Sequence, residues 1–178
     1  MGIGLPIRYL RFINHYQMKP IKIAVVESDT ATRMMLTGMI PTMSQGNIQI
    51  LLEAATGAEL LFKLSGELPD IVLLDMLTPV MEGIETSGYL RALFPEVTIV
   101  ALATGSEDFD PELMEILGIQ SVLLRNQPFE FMVAAIGAVA EGKVVMPEFR
   151  RSYINNQSTP TPMVKPGYFL PFRVYMKG

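Results

Sequence analysis

The chain alternates short apolar runs of strand length with stretches in which apolar residues recur every three or four positions. Ile21-Lys22-Ile23-Ala24-Val25-Val26, Ile48-Gln49-Ile50-Leu51-Leu52, Ile71-Val72-Leu73-Leu74, Val97-Thr98-Ile99-Val100-Ala101-Leu102 and Ser121-Val122-Leu123-Leu124 are the strand-like runs. Each is bounded by polar, Gly or Pro residues, and those without polar interruption suit strands buried on both faces. After the first run, Glu27-Ser28-Asp29-Thr30 offers helix caps, and Met34, Met35, Leu36, Met39 and Ile40 give an apolar face that ends near Pro41. A short helix is predicted over Ala58 to Leu64, a third over Ile84 to Phe94, and a fourth from Glu107-Asp108-Phe109-Asp110-Pro111 to Gly118. Phe129, Met132, Val133, Ile136, Val139 and Ala140 recur at helical spacing and give a fifth. The pattern predicts an α/β fold, a (βα)5 unit with one parallel sheet and helices on both faces, because such short crossovers close right-handed.

Composition narrows this to one core plus ends. The 178 residues are 49% hydrophobic, enough for a single domain, placed at 21–146. Residues 1–20 are read as an N-terminal extension outside the core, solvated and flexible by default. Residues 147–178 are read as a Pro-rich tail with an aromatic end (Tyr168, Phe169, Leu170, Phe172, Val174, Tyr175) able to dock on the core or a partner. Cysteine is absent, which excludes disulfides and thiolate metal sites, and His15 is the only histidine, which leaves little for zinc sites or hydrolase triads. Without a membrane-length apolar run or a secretory leader, the expected location is cytoplasmic. Charge is segregated: residues 1–20 carry +3, residues 147–178 carry +4, and residues 21–146 carry −11. Five cations spread over the tail make a poor phosphate-binding patch, and the tail lacks the helices of a DNA-binding domain, so direct DNA binding by this chain is not expected.

The candidate chemistry sits where the third strand stops on a carboxylate, in Ile71-Val72-Leu73-Leu74-Asp75. On its own an acid there reads as a turn residue capping the next helix; in an open α/β sheet it also lies at the end where ligands gather. A cofactor-binding reading fails at the first loop, where Glu27-Ser28-Asp29-Thr30 presents acids in place of a phosphate-cradling glycine loop. Asp75-Met76-Leu77-Thr78-Pro79-Val80-Met81-Glu82-Gly83-Ile84 resembles the phosphoacceptor loop of two-component response-regulator receiver domains. The likeness runs from Ile21 to about Pro147, through Pro69-Asp70, Leu123-Leu124-Arg125-Asn126-Gln127-Pro128, Ala135-Ile136 and Glu141-Gly142-Lys143. Its flavour is that of receivers preceding a helix-turn-helix output domain.

That resemblance implies a flavodoxin-like strand order 2-1-3-4-5 and a pocket of five groups. Asp75 falls at the phosphoacceptor position, and Glu27, Asp75 and the Leu77 backbone carbonyl fall at the Mg2+ positions. Ser28 stands where a second metal-binding Asp is usual, and a neutral hydroxyl is a poor Mg2+ ligand. Asp29, one residue on, points differently from a chain leaving a strand. Ala103 occupies the hydroxyl position, with Thr104 one place late; Arg125 replaces the lysine, and Val122 the switch aromatic. The expectation is a degenerate receiver with weak Mg2+ binding, in which Arg125 pairs directly with Asp75. It would be no enzyme beyond self-catalysed phosphoryl transfer, and would act through protein contacts, with a homodimer or another regulator as partner and a histidine kinase behind it. The alternative is a competent Mg2+-dependent aspartyl phosphoacceptor of a histidine-kinase phosphorelay controlling transcription.

Overall fold

The computed structural model describes residues 19–77, 83–104, 111–147 and 172–176. The N-terminal extension, the loop Thr78 to Glu82, the start of the fourth helix before Pro111 and the Pro-rich stretch before Phe172 lie outside the described residues. Five strands, β1 (Ile21–Val26), β2 (Ile48–Ala54), β3 (Ile71–Asp75), β4 (Thr98–Ala103) and β5 (Ile119–Leu124), form one parallel sheet in the order β2-β1-β3-β4-β5. The helices are α1 (Thr30–Met43), α2 (Gly57–Lys63), α3 (Gly83–Leu93), α4 (Pro111–Leu117) and α5 (Phe129–Ala140). Alternate strand residues feed two cores. Ala24, Val26, Val72 and Leu74 pack with Leu60, Leu90 and Met114 of α2, α3 and α4. Ile23, Val25, Ile71 and Leu73 pack with Leu36, Ile40, Met132 and Ile136 of α1 and α5. The fold expected from the sequence is therefore present, with its strand order.

Local chemistry explains the differences in element ends. Asp29 caps α1, its Oδ1 accepting the Thr32 N–H at 2.7 Å. Pro41 does not end that helix but lies inside its last turn, where its missing N–H costs one bond while Ser44 N–H still donates to Ile40 and Gly46 N–H to Pro41. β2 runs two residues beyond the expected end, carrying a register shift opposite Ile23/Ala24, and β4 lies one residue later than its apolar run. β5 begins at Ile119 because Gly118, at φ 71°, turns the chain immediately after α4.

Two elements are additional. β6 (Lys143–Pro147) and β7 (Phe172–Met176) pair antiparallel as a separate two-stranded sheet. Val145 of β6 is buried in the α1/α5 core, and Pro147, one residue past the expected boundary at 146, is buried too. Over 172–176 the aromatic end is a strand.

On the other face, α2 and α3 approach through Gly57. A Cβ there would lie 1.8 Å from the buried Thr86 Oγ1. Gly57→Ala should destabilise the domain by about 2 kcal/mol in urea denaturation, and adding Thr86→Ala should recover part of the loss.

Candidate functional site

α1 leaves β1 toward one face of the sheet and α3 follows β3 on the other, so a crevice opens beyond the adjacent carboxyl ends of β1 and β3. Glu27 directly follows β1, and Asp75 ends β3. Among the described residues these are the buried ionisable side chains, 1% and 2% exposed. A polar pair placed by two apolar strands at a sheet's switch point is costly unless something neutralises it.

Arg125 supplies that charge. It directly follows β5, and its backbone N–H donates to the Ala103 carbonyl at 2.8 Å, which fixes where the side chain starts. The guanidinium then reaches back across the crevice. Nη2 forms an ion pair with Asp75 Oδ1, and Nη1 lies 2.7 Å from Glu27 Oε2. The Glu27 contact is closer to a charge contact than to a directed hydrogen bond, since Oε2 has no aligned donor. Arg125 Nε is also buried without a hydrogen-bond partner, a leftover donor that a lysine would not carry. Burial alone would lower the guanidinium pKa, but hydrogen bonding and charge from Asp75, with the charge of Glu27, raise it, so Arg125 stays cationic.

Backbone amides engage both acids as well. Asp75 Oδ1 accepts the Leu77 N–H at 2.9 Å, which ties the turn after β3 to the acid. Glu27 Oε1 accepts the Asp29 N–H at 2.9 Å. Asp29, disfavoured by its direction as a substitute ligand, caps α1. Gly83 closes the floor: a Cβ there would meet Met76 Cα at 2.6 Å.

The structure brings Asp75, Glu27 and Arg125 together; Leu77, expected through its backbone carbonyl, meets Asp75 through its N–H, and Ala103, expected at the hydroxyl position, meets Arg125 through its carbonyl. Ala103 is buried at the end of β4, whereas Thr104 is exposed just beyond it. Arg33 was missed. Its Nη1 accepts nothing but donates to the Glu27 carbonyl at 2.6 Å, while Nε lies 3.7 Å from Glu53. It thereby clamps the β1–α1 turn from α1, and an arginine at the fourth position of a helical pattern gives no sequence signal of that.

A divalent cation fits this arrangement poorly. Among the described residues two carboxylates line the crevice, a guanidinium already bridges them, and no group of three or more His, Asp or Glu could hold a metal.

The Glu27 carboxyl is raised above its ordinary value of 4.5, first by burial and further by the charge of Asp75, against the Asp29 N–H and Arg125, which lower it. Above 4.5 the folded protein therefore keeps a proton that the unfolded chain has released. Wild-type stability should fall relative to Glu27→Gln as pH rises from 4.5 through the folded value, then level off, as read by urea denaturation at a series of pH values.

Residues 23–137, more than half of the chain, match the family described as response regulator receiver domain. The chain belongs to the response-regulator receiver family. Among curated proteins it is 33% identical over 100 residues to a protein-glutamate methylesterase/protein-glutamine glutaminase of Clostridium acetobutylicum, covering 56% of this chain and 28% of that protein. It is 24% identical over 125 residues to the response regulator protein VraR of Staphylococcus aureus, covering 70% of this chain and 59% of VraR. The chain thus spans less than two thirds of the length of these relatives. Among solved structures, a LuxR-family DNA-binding response regulator from Staphylococcus aureus superposes with a TM-score of 0.59 at 20% identity, covering 67% of this chain and 98% of that one. The isolated RcsB receiver domain from Salmonella enterica serovar Typhimurium gives 0.59 at 17%, covering 73% and 95%. At these identities the superpositions speak for the receiver fold. Members of this family generally use Mg2+ for phosphoryl transfer. No helix among the described residues is long and apolar enough to cross a membrane.

Proposed function

We propose that this chain is a signal-transduction receiver module whose crevice is latched by Arg125 and which acts through protein–protein contacts, with phosphorylation at Asp75 slow. The observation that carries the reading is the guanidinium bridge between Asp75 and Glu27. In the reaction of the family, an Asp oxygen attacks the phosphorus of a phosphohistidine, the P–N bond breaks and the imidazole leaves with the electron pair. Here the attacking group would first have to release Arg125, whose charge could then meet the incoming phosphoryl oxygens. Ala103 offers those oxygens no hydroxyl, and Ser28 adds no second carboxylate for Mg2+.

The proposed partner is a second copy or another regulator, with a histidine kinase upstream and a cytoplasmic setting. Phe129 and Phe131 of α5 pack against the core and Met132 lies within it. Exposed apolar side chains include Phe62 on α2, Leu93 on α3, Ile116 on α4 and a cluster of Met34, Met35 and Met39 on α1, and methionine suits adaptable contacts.

A second reading is favoured by family membership and by the retained Asp75: a competent Mg2+-dependent phosphoacceptor in a histidine-kinase phosphorelay that controls transcription, as the names of the relatives suggest. Light scattering on a sizing column separates the two. With Mg2+ and beryllofluoride added, the latched module keeps its particle mass; a mass change lost in Asp75→Asn would favour the second reading.

A further inference from the structure

The phosphoacceptor crevice makes no use of the sheet formed by β6 and β7. β6 is held to the receiver from one side: Val145 is buried, and its N–H donates at 3.0 Å to the Oγ of Ser121, itself fully buried on β5. The antiparallel register Lys143↔Met176 to Pro147↔Phe172 then fixes which amides face β7. Because the Val145 amide faces β5, alternation turns those of Val144 and Met146 toward β7, making Val144↔Tyr175 and Met146↔Arg173 the hydrogen-bonded pairs. Pro147 has the parity of Val145, so its missing N–H falls on the side away from β7. The serine anchor and the proline position independently leave the β7-facing edge of β6 with its donors and acceptors intact.

β7 has a different standing. Among the described residues its sheet partner is β6 alone, and an isolated two-stranded ribbon is only marginally stable. Residues 148–171, 24 in number, connect the two strands, and a tether of that kind supplies an effective concentration on the order of millimolar. The +4 charge of residues 147–178 beside the −11 of residues 21–146 favours return of the segment to this domain.

We propose that β6 is a strand-acceptor site built onto β5 and α5, that the chain's own Phe172–Met176 is its resident ligand, and that this strand leaves the site without unfolding the receiver. The ligand class is an extended, cationic peptide of β-branched and aromatic residues, recognised through its backbone.

Hydrogen exchange on the intact wild-type chain tests the opening. Amides of Arg173 and Tyr175 should be protected but exchange at least tenfold faster than those of β3, while the Val174 amide exchanges as an unpaired group. Exchange of residues 172–176 as slow as that of β3, or with no alternation, would overturn the proposal. The full-length Tyr175→Pro variant tests the site itself, using a fluorescent peptide of residues 171–178. The variant should bind the peptide about tenfold more tightly than wild type, whose own strand competes. Methylating the peptide nitrogen at Tyr175 should abolish binding, whereas methylation at Val174 should not. Equal binding of the two methylated peptides, or equal affinity of variant and wild type, would contradict the assignment. A wild-type dimer that Tyr175→Pro dissolves would overturn the resident strand in favour of exchange between two copies.

Discussion

Replacing Arg125 with alanine should cost about 3 kcal/mol of stability at pH 7, measured by urea denaturation. The change leaves Glu27 and Asp75, both buried, facing each other without a counter-charge. The low end of the roughly 3–5 kcal/mol range typical of breaking a buried pair applies because the Arg125 side chain is 25% exposed and water can replace part of it. Two recoveries identify the cause. Adding Glu27→Gln should return most of the loss, since one of the opposed charges is gone. Millimolar Mg2+ should raise the thermal midpoint of Arg125→Ala but leave wild type almost unmoved, because only the variant offers an unbridged pair of carboxylates. If Arg125→Ala were lost for want of packing alone, neither addition would help.

The second large effect is on rate. A chain carrying Ser28→Asp, Ala103→Thr and Arg125→Lys should be phosphorylated on Asp75 by acetyl phosphate and Mg2+ about 100-fold faster than wild type or more, the scale on which one missing charge-stabilising donor acts. Each change restores one function: a second carboxylate beside Glu27, a hydroxyl at the end of β4, and a compact cation that does not bridge both acids. Arg125→Lys alone should give the largest single gain, since it frees the attacking oxygen. Ala103 is buried, so Ala103→Thr will also cost some stability, and the rates should be compared at a temperature where both proteins are folded.

How much of this could be read without coordinates follows from the range of each interaction. β3 was legible because its four apolar residues are buried on both faces, and its last residue was legible as a site because the apolar run stops on it. α5 was legible because its core contacts recur at helical spacing. Pro41 misled about the end of α1 because one lost bond in a last turn is outweighed when neighbouring amides still find carbonyls. β6 was missed because its apolar run follows directly on α5, and its burial depends on Ser121 in a strand laid down earlier. β7 reads as a strand only once β6 is in place to receive it.

The site divides in the same way. Each of Glu27, Asp75 and Arg125 could be assigned a position from local motif, and the pairing of Arg125 with Asp75 was a chemical consequence of the substitution. That one guanidinium would span both acids depends on the register of β1, β3, β4 and β5, because Arg125 is set by its backbone bond to Ala103 across β4 and β5. The clamp of Arg33 on the Glu27 carbonyl depends on how α1 leaves β1, which no spacing records.

The central claim is that Arg125 withholds Asp75 from phosphoryl transfer. It is tested most directly by the intact mass of the wild-type chain incubated with acetyl phosphate and Mg2+, beside the variant with Ser28→Asp, Ala103→Thr and Arg125→Lys. The account predicts that wild type remains at its unmodified mass over the time in which the variant gains one phosphoryl group. Wild type gaining that group at a comparable rate, with the gain abolished by Asp75→Asn, would contradict it.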